Sequence, residues 1–169
     1  FEGLLVLDAD GLNRLANDPK GWNWLKRRRG PTWLTPHAAE FQRLFPELKD
    51  LEPLDAAVEA ARLSGAVVLL KGAHSVVADP SGAAWQLSDT ADWVARTGLG
   101  DVLAGFAAGW GALALAAAQT CEGEQLATAV FLHAEAARHC SKASSALPIA
   151  RSLAALMTRI QSKKHARNT

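Results

Sequence analysis

Three continuous apolar runs are separated by amphipathic or polar stretches; two are of strand length and the third, Trp33-Leu34, is a short strand candidate. Leu4 to Leu7, Trp33-Leu34 and Ala66 to Leu70 lack the alternation of a half-solvated strand. Runs of that kind belong to parallel strands covered on both faces. Ser75 to Ala78 and Ala83 to Leu87 alternate moderately around Asp79-Pro80-Ser81-Gly82, which has the composition of a type I turn; they predict a β-hairpin. Leu54 to Ser64 has helical periodicity, with Asp55 at its start and Gly65 just past its end. Further helices are predicted over about Asp101 to Gln119, Glu124 to Lys142 and Pro148 to Gln161, followed by a frayed basic tail from Ser162 to Thr169. Strands alternating with helices predict an α/β fold with a mostly parallel sheet.

The polar residues gather where the strands end. Leu7 runs into Asp8-Ala9-Asp10-Gly11. Asp8 and Asp10 are placed to orient a hydrated Mg²⁺, although Asp10 more simply caps a short helix from Gly11 to Asn17. Leu34 runs into Thr35-Pro36-His37, where Thr35 suits an N-cap and Pro36 the first helical position. That puts His37 in the first turn, on one face with Glu40. Leu70 runs into Lys71-Gly72-Ala73-His74-Ser75, a point charge beside free backbone, which suits a phosphate. Finally Ala95 to Gly105 brings Gly98 and Gly100 into Asp101 at the mouth of a long apolar helix. A glycine loop leading into a helix N-terminus is an anion site. Asp101 there either caps the helix or takes a proton from a hydroxyl beside the phosphate. In an open α/β sheet these strand ends share one edge, where ligands bind.

Composition narrows the classes. The 169 residues are 49% hydrophobic and 21% charged with a net charge of +1, which predicts a soluble domain without a broad field for nucleic acid or membrane. Lys26 to Arg29 is the one basic cluster between elements, read as a phosphate patch or, more commonly, a solvated loop in the connection from Asp18 to Pro31. Trp22 and Trp24 in the same connection are expected to cover the core edge. Cys121 and Cys140 fit no metal or disulfide spacing, which predicts reduced thiols in a cytoplasmic protein. Val102 to Ala118 falls just short of a bilayer span. It is expected to be a buried helix, with Gly105 and Gly109 admitting another backbone. The opening at Phe1 carries no signal-peptide pattern and reads as the interior of a larger domain.

Four motifs in this order resemble the NAD(P)H-hydrate dehydratase family: Val6 to Asn13, Leu34 to Phe41 with its Thr-Pro-His-x-x-Glu-Phe pattern, Val68 to Ser75, and Gly98 to Gly105. The resemblance runs from Val6 to about Ile160. It implies a ribokinase-like three-layer α/β/α sandwich without its N-terminal part, occupying residues 1–161. It also implies use of ADP or ATP with Mg²⁺ to phosphorylate the hydroxyl of hydrated NADH or NADPH, after which phosphate leaves. By resemblance His37 and Asp101 contact that substrate, with Asp101 catalytic. Lys71, Gly72, Ala73, His74, Ser75 and Gly100 hold the adenine nucleotide. A homo-oligomer and a fused or separate epimerase domain are further implications. The chain departs from the family's usual Ala-Thr-Gly-Gly-Thr-Gly-Asp at Arg96, Thr97 and Leu99, and has Ala38 where a glycine is usual. Two other readings stay open: a ribokinase-like small-molecule kinase, whose product keeps its phosphate, and a non-catalytic nucleotide-binding domain.

Overall fold

A computed structural model describes residues 1–87, 98–118, 120–140 and 145–167, leaving aside the side chains of 118 and 161–167. The polar loop from Ser88 to Thr97, with Arg96, lies outside the described residues.

Every apolar run becomes a strand. β1 (Leu5–Leu7), β2 (Thr32–Leu34), β3 (Val67–Leu70), β4 (Ser75–Ala78) and β5 (Ala84–Leu87) form one sheet in the order β1-β2-β3-β4-β5. The pairs β1–β2 and β2–β3 are parallel, while β3–β4 and β4–β5 are antiparallel. Four strands therefore run one way and β4 alone runs back, as the hairpin reading requires.

The unbroken apolar runs are explained by helices on both faces. Leu34, Val68, Leu70, Val76 and Ala78 pack toward α1 (Ala9–Asn17), α2 (Ala38–Leu44) and α3 (Pro53–Ser64). Trp33, Val67, Leu69 and Val77 pack on the other side against α4 (Leu99–Ala118) and α5 (Gly123–Arg138). α6 (Ala146–Arg167) lies against α5 through Ile149 and Leu153. The result is a three-layer α/β/α sandwich around a mixed sheet.

Several local expectations are corrected. α1 begins at Ala9, so Asp8 holds the N-cap position and Asp10 sits exposed within the first turn rather than capping it. α2 begins at Ala38, not at Pro36. Thr35 continues the parallel ladder, its N–H donating to Leu7 O at 3.1 Å, and His37 becomes the cap. α6 remains helical to Arg167, beyond the predicted end at Gln161. α4 carries an exposed side at Gly105, Gly109 and Leu113, so it is not buried all round. A Cβ built on Gly105 or Gly109 would meet nothing within 4 Å. The close approach is instead at Gly111, where a Cβ would stand 2.5 Å from Leu4 Cδ2 and 2.6 Å from Trp33 Cη2. By length and composition α4 could cross a membrane; in the fold its inner side packs on β1, α5 and α6.

The basic cluster also finds a different use. The Arg28 guanidinium donates to Gly3 O at 2.8 Å and to Thr32 Oγ1 at 3.0 Å. Gly3 and Thr32 stand at the amino ends of β1 and β2, the far end of the sheet from the glycine-opened helix. Lys26 lies over the Trp22 ring at 5.3 Å. The run fastens the entry to the sheet and is no part of a phosphate patch at the carboxyl edge.

Candidate functional site

Three adjacent strand ends each deliver one polar side chain to the carboxyl edge. Asp8 follows β1, Thr35 follows β2 and Lys71 follows β3. The parallel register continues one step past the strands in a bridge between His37 and Lys71, and Lys71 N–H donates to Pro36 O at 2.8 Å. This holds the three side chains abreast. Lys71 Nζ donates to Asp8 Oδ1 at 2.7 Å, and the Thr35 hydroxyl lies 2.9 Å from the same oxygen. The side chains of Lys71 and Asp8 are 22% and 14% exposed, so the pair is screened by protein but reachable from outside.

Above this pair stands the N-terminus of α4. Gly98 has φ 88, a left-handed conformation that a side chain would strain, and its carbonyl accepts from Val102 N–H at 3.1 Å. Gly98 therefore occupies the cap position. Asp101 is the third residue of the helix and exposed, which removes the reading of Asp101 as an N-cap. A Cβ on Gly100 would lie 3.7 Å from both Asp8 Oδ2 and Lys71 Nζ, so glycine there leaves the pair uncovered. Backbone N–H groups and a partial positive charge at the helix end thus face a lysine and a carboxylate.

Lys71, Ser75 and Gly100 also border a cavity of about 190 Å³. Leu99 and Leu103 of α4, Leu87 of β5 and Val130 of α5 form much of its apolar wall. His133, on α5, lines it too. Burial lowers the His133 pKa from 6.5 to about 4, so its imidazole is neutral near pH 7. Its Nε2 is buried and has no hydrogen-bond partner among the described residues.

Of the residues singled out in the sequence, Lys71, Ser75 and Gly100 come together around one cavity. Gly72, Ala73 and His74 form the exposed turn between Lys71 and Ser75. That turn is closed by Ser75 Oγ, which accepts from Gly72 N–H at 3.3 Å and lies 3.2 Å from Gly72 O. His37 flanks Lys71 through the bridge but does not line the cavity. Its Nδ1 accepts from the N–H groups of Ala39 and Glu40, at 3.1 and 3.4 Å, while Glu40 Oε2 accepts from His37 N–H at 2.9 Å. His37 is thus a reciprocal cap whose ring remains half exposed. Among the described residues no group of three or more His, Cys, Asp or Glu gathers as a metal site. Cys121 is buried, which pushes its thiol up to about 11 and keeps it protonated.

Two residues carry more than the sequence indicated. Asp8 was legible as a polar strand end, but not as the partner of Lys71. His133 had no distinguishing signal, because a single histidine in an apolar helical stripe reads as core.

A mixed sheet with helices on both faces and its polar cluster under a glycine-opened helix defines a ribokinase-like α/β domain. The structure of a ribokinase-like superfamily protein from Enterococcus faecalis shares that fold, with 21% identity and a TM-score of 0.65 over 92% of this chain and 63% of that one. The chain belongs to the NAD(P)H-hydrate dehydratase family, whose family model matches residues 2–159. The bifunctional NAD(P)H-hydrate repair enzyme Nnr of Synechocystis is 44% identical over 133 residues, covering 78% of this chain and 24% of that protein. Its counterpart from Gloeobacter violaceus is 50% identical over 103 residues, or 61% and 20%. The ADP/ATP-dependent NAD(P)H-hydrate dehydratase from Bacillus subtilis, co-crystallised with ATP/Mg²⁺, is 28% identical with a TM-score of 0.67 over 92% of this chain and 55% of that one. The chain thus spans about a quarter of the length of these curated relatives and about half of the solved dehydratase.

Proposed function

We propose that the protein repairs hydrated NADH or NADPH, using ADP or ATP to phosphorylate the added ring hydroxyl. The observation that carries this reading is the Asp8–Lys71 pair lying open beneath Gly100 at the mouth of α4. It combines a fixed cation, a helix N-terminus and the exposed carboxylate of Asp101 in the first turn of that helix. Phosphoryl transfer needs positioning and charge neutralisation more than covalent help from the protein.

In this reading Lys71, Gly100 and the turn from Gly72 to Ser75 hold the nucleotide phosphates. His37 and Asp101 face the hydrated dinucleotide. Asp101 accepts the hydroxyl proton as the substrate oxygen bonds to the terminal phosphorus and the nucleotide's bridging P–O bond breaks. Phosphate then leaves with the C–O electron pair, the ring nitrogen assisting. A proton lost from the adjacent ring carbon restores the double bond. Asp8 suits a Mg²⁺ that arrives on the nucleotide, since that ion takes one or two carboxylates and otherwise phosphates and water. Bound there, it would neutralise charge on the phosphates.

The deciding experiment incubates the full-length protein with hydrated NADH, Mg²⁺ and ADP or ATP. Recovery of the near-ultraviolet absorbance of NADH, with one phosphate released per molecule repaired, is expected. A phosphorylated product that accumulates without that absorbance would instead identify a kinase. Nucleotide binding without turnover would identify a binding domain.

A further inference from the structure

Asp8 is placed at a cost to the fold. It holds the N-cap position of α1, where an aspartate ordinarily accepts from the free N–H groups of the first turn, yet its side chain makes no capping hydrogen bond. The next residue, Ala9, has φ 43, in the left-handed region that strains a side chain. Strained backbone persists where the surrounding structure over-determines it, and it clusters at functional sites. What holds Asp8 is a pair of donors from the neighbouring strand ends. Lys71 Nζ and the Thr35 hydroxyl both reach Oδ1, at 2.7 and 2.9 Å.

Thr35 is 1% exposed and fixed by the ladder, its N–H donating to Leu7 O. Its hydroxyl has one proton and two oxygens in reach, Leu7 O at 3.2 Å and Asp8 Oδ1. Leu7 O is already served by the Thr35 N–H, and a carboxylate only accepts, so the proton belongs to Asp8 Oδ1. With both donors on Oδ1, Asp8 Oδ2 has no hydrogen-bond partner among the described residues. Oδ2 is also the oxygen at the mouth of α4, 3.7 Å from where a Cβ on Gly100 would stand. We propose that Thr35 is a positioning residue of this site: its hydroxyl pins Asp8 Oδ1 and so presents Oδ2 to the divalent cation that travels with the nucleotide. The inference rests on the nucleotide reading of the site, since the phosphates bring that cation. Lys71 does not suffice as the anchor, because its ammonium sits on a flexible stem and is drawn to arriving phosphates. The Thr35 hydroxyl stays on its strand, so Oδ1 keeps a donor and the carboxylate its orientation while the lysine turns to the nucleotide.

The test is calorimetry on the full-length protein with ADP, once with Mg²⁺ and once with EDTA in its place. Thr35→Val keeps the β-branched shape that suits the strand end and removes the hydroxyl. It should weaken ADP about three- to tenfold in Mg²⁺, the worth of one hydrogen bond, and leave the affinity in EDTA unchanged. Thr35→Ser, which restores the hydroxyl, should recover most of the loss. In an Asp8→Asn background, where the charge facing the cation is gone, Thr35→Val should cost nothing more. Melting temperatures of the same preparations show that each variant is folded, and Thr35→Ala replaces the valine variant if that one is not. Unchanged ADP affinity in Mg²⁺ on loss of the hydroxyl would overturn the proposal. So would an equal loss in Mg²⁺ and EDTA, no recovery in Thr35→Ser, or a full further loss on top of Asp8→Asn, each of which marks Thr35 as a general support of the strand end. Wild-type protein that binds ADP equally well with and without Mg²⁺ would overturn the proposal while sparing the nucleotide reading. Binding of ADP in neither condition would overturn both together.

Discussion

Lys71 and Asp8 share one oxygen-to-nitrogen contact, so a change at either residue exposes the other. In Lys71→Ala the phosphates lose a cation and also meet an uncompensated carboxylate. Adenine-nucleotide binding should weaken by about 1.5–3 kcal/mol, the range for a charge-assisted hydrogen bond. Asp8→Asn/Lys71→Ala should lose less than the two single changes summed, because the bare charge is gone; calorimetry on all four proteins measures the coupling. Asp101 predicts a different pattern. Asp101→Asn should fold, bind nucleotide and turn over roughly 10²–10⁴-fold more slowly, the contribution of a positioned general base. A wild-type rate would remove Asp101 from the chemistry. His133 bears on stability through its lowered pKa. The unfolded chain binds a proton near pH 6.5 and the folded chain only near about 4, so between these values the unfolded state holds more protons. Stability from this group is therefore complete above pH 6.5 and falls as the pH drops toward 4, by about 3 kcal/mol from a shift of that size. In denaturant titrations across that window wild type should lose about 3 kcal/mol relative to His133→Leu as the pH is lowered, and a constant difference between the two would clear His133 as the cause.

At the scale of elements, α4 makes opposite demands on its glycines. Gly111→Ala drives a methyl into Leu4 and Trp33 and should destabilise the fold by about 1–3 kcal/mol. Gly105→Ala and Gly109→Ala open onto empty space inside a helix and should each stabilise by about 0.5–1 kcal/mol. Melting temperatures of the three variants decide this, and equal shifts would refute the packing of α4 on β1 and β2. The same helix shows what a sequence conceals. Its apolar composition was plain, but which glycine met the sheet depended on the angle at which α4 crosses β1. Strands were legible because burial on both faces leaves unbroken apolar runs. Helix starts were less so. Thr35-Pro36 has the form of a cap and first residue, yet Thr35 was drawn into the ladder with β1 and its hydroxyl to Asp8, which passed the cap to His37. Lys71, Ser75 and Gly100 were readable because strand ends converge. Helical periodicity hid His133, whose spacing is that of any core residue on α5.

For the molecule as a whole, the site joins the sheet to the helical layer of α4 and α5. Asp8, Thr35 and Lys71 belong to the sheet, Gly100 to α4, and the cavity wall to α5. A nucleotide held there should stabilise the fold globally, by about 2.7 kcal/mol at a hundred times its Kd. The measurement is the melting temperature with and without ADP. A rise in wild type that is lost in Lys71→Ala places the effect at this site.

The order of the strands has a bearing on synthesis. Each strand lies beside the one that precedes it in the chain, so on the ribosome β2 meets β1 as soon as it emerges, and β3 meets β2 soon after. Such pairing of strands adjacent in sequence favours assembly in order from the N-terminal side. The long-distance closure is the return of α4 to β1, where Gly111 settles on Leu4 and Trp33. Until that happens the Asp8–Lys71 pair lies in a shallow, open edge, with neither Gly100 above it nor α5 beside it. A nascent chain consequently offers nucleotide no place to dock. The ligand cannot act as a template for early folding and can reward only a polypeptide already made through α5.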